Sequence, residues 1–134
     1  MKRRIVVLGG SLVILAAASR GYAHHSFAAT YDVSRVVKLD GVVKEFVWRN
    51  PHSYLRIDVT DDKGVTTTWA LEWGSISQLG QATKGNPALT RTTLRPGDRL
   101  IVEGAPARDP SSLRLRINHV KRPADGWEWM GEFQ

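Results

Sequence analysis

Ser53-Tyr54-Leu55-Arg56-Ile57-Asp58-Val59-Thr60-Asp61-Asp62-Lys63-Gly64-Val65-Thr66-Thr67-Thr68-Trp69-Ala70-Leu71-Glu72-Trp73 reads as two β-strands and the turn that joins them. In its first half Leu55, Ile57 and Val59 alternate with Tyr54, Arg56 and Asp58, the two-residue period of a strand with one buried face. Asp61-Asp62-Lys63-Gly64 supplies a hairpin turn, with glycine where a positive φ is needed. Val65 to Trp73 then returns, with Trp69, Leu71 and Trp73 on one face. Glu72 falls on the other face, where a solvated carboxylate is the expectation.

Upstream of the hairpin, Val36 to Trp48 is a long β-branched run with Gly41 at its middle, which predicts a bulge or bend there. Arg49-Asn50-Pro51-His52 ends it, because Pro51 cannot donate to a sheet ladder. Downstream, Ser75-x-x-Gln78 is a capping box with Ile76 and Leu79 three apart, and Gly85 with Pro87 stops the segment. That predicts one short helix, weakened by Gly80. Leu94-Arg95-Pro96-Gly97-Asp98 turns into a strand from Arg99 to Ala105, and Leu113 to Val120 forms a last strand. The resulting order is three strands, a helix and two strands, which predicts an all-β chain with one short helix: an OB-like five-stranded β-barrel. A small open β-sandwich is the second reading. The expected core is Leu55, Ile57, Val59, Trp69, Leu71, Leu100, Val102, Leu115 and Ile117.

Residues 1–23 have the three parts of a signal peptide: Lys2, Arg3 and Arg4, an uncharged run from Ile5 to Ala18, and small residues Gly21 and Ala23 before the cut. The run is shorter than the ~20 residues a membrane-spanning helix needs. A cut after Ala18 competes with one after Ala23. The organisation that follows is a signal peptide over 1–23, an extended arm over 24–35, the barrel over 36–122 and a Trp-rich tail over 123–134. The expected location is the periplasm or the medium, with no transmembrane segment once the signal is removed.

Removal of Lys2, Arg3, Arg4 and Arg20 leaves 15 basic against 13 acidic residues, a balance of +2 in place of +6. That weak charge and the export signal argue against nucleic acid as a partner, although many OB-folds bind it. The chain has no cysteine, so a thiolate metal site is excluded. Met130 is the one methionine left after Met1 is removed, which excludes a methionine-rich Cu(I) site. Any metal must be held by His, Asp, Glu and backbone atoms. No nucleophile–base pair, phosphate loop or close carboxylate pair appears at a recognisable spacing, so a binding protein is expected rather than an enzyme.

Two of the four histidines, His24 and His25, stand at the cut. With His24 as the first mature residue, its α-amine and ring Nδ1 can close on one metal ion as a chelate. A third nitrogen completes a T-shaped set resembling the histidine brace of exported copper proteins, and such nitrogen-rich sites favour Cu(II). The third ligand can be His25, His52 or His119; His52 is preferred because its loop joins the first two strands, where OB-folds bind ligands. A cut before Ala23 would instead make Ala23-His24-His25 a planar Cu(II) chelate. The expected metal ligands are therefore His24, His25 and His52, with copper as the cofactor. The bland alternative makes Asn50-Pro51 an ordinary turn and His52 its cap. The other class of function is a metal-free module for a periplasmic protein partner, with Trp127 and Trp129 as its docking surface.

His24-His25-Ser26-Phe27-Ala28-Ala29 after the signal, Gly41-Val42-Val43, Asn50-Pro51-His52, Trp69-x-x-Glu72 and the run from Pro96 to Arg108 resemble an uncharacterised family of small secreted bacterial proteins. The resemblance spans nearly all of the mature chain and departs in the tail. It implies export and a small β-barrel, and it brings no established activity.

Overall fold

A computed structural model describes residues 27–83 and 85–131. The signal-peptide reading of 1–23 and the ligand expectations for His24 and His25 lie outside the described residues. A helical turn, α1, covers 27–30. The strands are β1 (Val37–Val47), β2 (Tyr54–Thr60), β3 (Thr66–Glu72), β4 (Arg99–Pro106), β5 (Arg114–Arg122) and β6 (Trp127–Met130), and helix α2 (Ile76–Leu79) follows β3.

β1, β2 and β3 form an antiparallel meander, β1 also pairs β4, and β4 pairs β5. A parallel ladder between β3 and β5, with Leu71 opposite Leu115, closes the circle. The result is a closed five-stranded OB-like barrel with β6 added outside β5. Closure pairs β3 with β5 over Ala70–Glu72 and so shortens the unpaired sheet edge that would template aggregation. Leu55, Ile57, Leu71, Leu100, Val102, Leu115 and Ile117 are all buried, as their parity requires. Val59 and Trp69 are half-buried, packed against that core from the margin.

The hairpin and helix follow their local chemistry. Asp61 Oδ1 accepts from the backbone N–H groups of Lys63 and Val65, and Gly64 takes φ +79°. The Ser75–Gln78 capping box forms, but α2 ends at Gly80, earlier than the stop at Gly85 and Pro87.

Three expectations are corrected. The bulge in β1 is at Lys44, since Val43 pairs Ile57 and Glu45 pairs Arg56; Gly41 serves close approach, because a Cβ there would sit 2.8 Å from the Asp58 carbonyl oxygen. The tail folds: Val120 pairs Trp129, and Trp129 is buried with its ring edge-on to Trp73 at 5.0 Å. Tryptophan buries so much area that leaving this one in water would forfeit a large stabilisation. Finally, part of the segment read as extended is the helical turn α1, which packs back on the barrel.

Candidate site on the barrel wall at Glu72

Glu72 ends β3 on the outward parity, beside inward Leu71, yet it is only 6% exposed. What covers it is the chain leading away from α1. Tyr31 forms a bridge to Ala107, Asp32 N–H donates to the Pro106 carbonyl at 2.9 Å, and Arg108 N–H donates to the Thr30 carbonyl at 2.9 Å. Arg108 Nε adds a bond to the Ala28 carbonyl at 2.6 Å. These bonds lay the segment along the end of β4 and turn Tyr31 inward, where it is fully buried.

A carboxylate removed from water must be paired or hydrogen-bonded. Glu72 is both. The Tyr31 hydroxyl donates to its Oε2 at 2.5 Å, and Arg114 Nη2 from β5 lies 3.4 Å from the same oxygen. The other oxygen, Oε1, faces His52 Nδ1 at 3.5 Å. Burial, and then the hydrogen bond to Glu72, push the Tyr31 phenol well above the usual tyrosine range, with Arg114 opposing.

His52 is held by a loop with its own fastenings. Ser53 Oγ donates to the Arg49 carbonyl at 3.1 Å and accepts from Arg49 N–H, while Ser53 and the Trp73–Gly74 stretch exchange two backbone bonds of 2.9 Å. Asn50 Oδ1 accepts from Ile76 N–H at 3.0 Å, so the same turn also caps α2. The Asn50–Pro51 peptide is cis. The His52 side chain keeps 35% exposure. Its ring meets Phe27 of α1 edge-on at 5.2 Å and 79°, and the Arg116 guanidinium lies over the Phe27 ring at 4.3 Å. An imidazole, a buried carboxylate and a phenol thus converge where the N-terminal segment meets the barrel.

Among the described residues no three His, Asp or Glu side chains are grouped as a metal would need. His52 and Glu72 are the described members of this cluster with metal-binding chemistry, and His24 and His25 lie outside the described residues. His119 has other partners: its Nε2 is 2.6 Å from Glu128 Oε1, and its Nδ1 is 3.8 Å from Glu103 Oε2. Tyr31, Arg114 and the burial of Glu72 escape a sequence reading. The available signal was a carboxylate set between Leu71 and Trp73, an apolar neighbourhood for a solvated group.

A second concavity, of about 400 Å³, lies beside Arg122. The charge of Arg122 is already matched: it binds Asp98 at 3.0 Å, the Thr93 carbonyl at 2.8 Å and both oxygens of Asp125. Among the described residues no helix is long and apolar enough to cross a membrane.

No curated protein and no solved structure matches this chain. One family model does, over residues 12–116, a span that includes Tyr31, His52, Glu72, Arg114 and Arg116 and leaves β6 out. The chain therefore belongs to a family of unknown function (DUF6152).

Proposed function

We propose that this is an exported Cu(II)-binding protein whose site forms where its mature N-terminus meets the barrel, with His24, His25 and His52 as ligands. The observation that carries the reading is the edge-on contact of Phe27 with the His52 ring at 5.2 Å. Three peptide steps separate His24 from Phe27, a reach of at most ~11 Å for extended chain. Covalent connection therefore keeps the His24 amine and imidazole within range of a histidine that its own loop holds in place. The α-amine and ring nitrogen of a terminal histidine chelate one ion, and a third nitrogen favours the tetragonal field that Cu(II) prefers. His119 is engaged by two carboxylates and is not used. The Trp127/Trp129 docking surface is not retained, because Trp129 belongs to the core.

Two measurements test this reading. Intact mass of exported protein should show His24 as the first residue. Protein starting at His24 should bind one equivalent of Cu(II), and protein extended by Met-Gly should bind far more weakly, since extension turns the amine into an amide and leaves every side chain in place. His52→Ala should weaken binding and alter the electron paramagnetic resonance spectrum, while His119→Ala should leave both unchanged. Equal affinity of the native and extended forms rejects the site.

A further inference from the structure

Glu72 divides its two oxygens between two parts of the molecule. Oε2 takes the Tyr31 hydroxyl and the Arg114 guanidinium, and Oε1 is left facing His52 Nδ1. A neutral imidazole carries one N–H, and the acceptor beside the ring decides which nitrogen holds it. An acceptor-only carboxylate at Nδ1 draws the proton to that nitrogen and leaves the Nε2 lone pair free. We propose that Glu72 is a positioning residue that holds His52 as the Nδ1–H tautomer and so makes Nε2 its donor nitrogen. Tyr31 ties the same carboxylate to the N-terminal segment.

The surroundings support a fixed ring rather than a rotating one. A half-turn of the imidazole would keep its edge-on packing on Phe27 but would turn Nδ1 away from Glu72, so the carboxylate is the group that selects between the two ring orientations. Phe27 is itself backed by Arg116 at 4.3 Å, so the wall on that side is filled. Arg114 balances the carboxylate charge from the far side, which leaves Oε1 free to serve His52. Glu72 thereby links two functions of one face: docking of the N-terminal segment through Tyr31, and aim of the His52 nitrogen. A carboxylate behind a ligating histidine raises the basicity of the opposite nitrogen and fixes ring direction, and its removal commonly costs ~10–100-fold in metal affinity.

The role of Nε2 as a metal donor rests on the Cu(II) reading; the tautomer does not, and the test separates them. Heteronuclear NMR of the imidazole nitrogens in metal-free, His24-started protein, at a pH well above the imidazole range near ~6.5, should show His52 as Nδ1–H. This needs no variant and so does not depend on whether a variant folds. Glu72→Leu should shift His52 toward Nε2–H and weaken Cu(II) binding ~10–100-fold while far-ultraviolet dichroism stays native. An Nε2–H tautomer in the wild type overturns the positioning role. So does a folded Glu72→Leu protein with unchanged tautomer and affinity. Wild-type protein that has the Nδ1–H tautomer and binds no Cu(II) supports the Glu72–His52 geometry and rejects copper alone.

Discussion

Tyr31 shows how one buried hydroxyl can hold a chain segment in place. Its phenol is fully buried and donates to Glu72 at 2.5 Å, so Tyr31→Phe removes a bond to a charged acceptor without changing shape. Hydrogen bonds to charged groups contribute about 1.5–3 kcal/mol, and urea denaturation of Tyr31→Phe should show a loss in that range. The residue also sets an alkaline limit. Its folded pKa is raised above the unfolded value near ~10, so between those values the unfolded chain binds fewer protons than the folded one. This contribution is fully present below the unfolded pKa and is lost as pH rises through the folded pKa. Stability should therefore fall above about pH 10 by up to ~1.4 kcal/mol per pH unit from this group. Denaturation midpoints measured across that range should fall less steeply in Tyr31→Phe than in the wild type.

At the scale of the element, β6 and the close approaches inside the barrel make distinct predictions. Trp129 is buried against Trp73, whereas its neighbour Met130 is 57% exposed. Trp129→Ala should cost ~3–5 kcal/mol in thermal or urea unfolding, and Met130→Ala should stay within ~0.5 kcal/mol of the wild type. Equal effects would mean β6 does not pack as described. Asn86 caps the outer side of this strand, with its side chain donating to the Met130 carbonyl and accepting from Met130 N–H. Gly104 on β4 is a stricter case. A Cβ there would overlap the Arg116 carbonyl oxygen on β5, and the opposing atom is backbone. Gly104→Ala should therefore cost at least the ~1–3 kcal/mol of an overpacked core, read as a lower unfolding midpoint. Gly64→Ala meets no atom but is strained by its φ of +79°.

At the scale of the whole molecule, stability depends on the two inward faces meeting after closure. Leu115 of β5 and Leu71 of β3 are paired across the parallel ladder, and both are fully buried. Leu115→Ala and Ile57→Ala should each lower stability by ~2–5 kcal/mol. An unchanged thermal midpoint in both would contradict the barrel. Closure also brings Arg114 and Arg116 on β5 beside Glu72 and the Phe27 ring, so the face that holds the candidate site exists only in the closed form.

The sequence by itself determined the elements whose causes are local. The alternation from Tyr54 to Thr60, the Asp61–Gly64 turn and the Ser75 capping box each involve groups a few residues apart, so period and side-chain chemistry suffice to read them. It also marked His52 in a turn flanked by proline. Only the tertiary structure decided that Glu72 is buried, because its phenol partner lies 41 residues away and its guanidinium partner 42 away. The same holds for His119. It shares parity with Leu115 and Ile117 along an ideal strand, but Glu103 pairs His119 while Gly104 pairs Ile117, so Asn118 is an extra residue. That bulge reverses the parity: Val120 points into the core, and His119 turns out toward Glu103 and Glu128. A bulge is set by the register of two strands against each other, and no period within one strand records it.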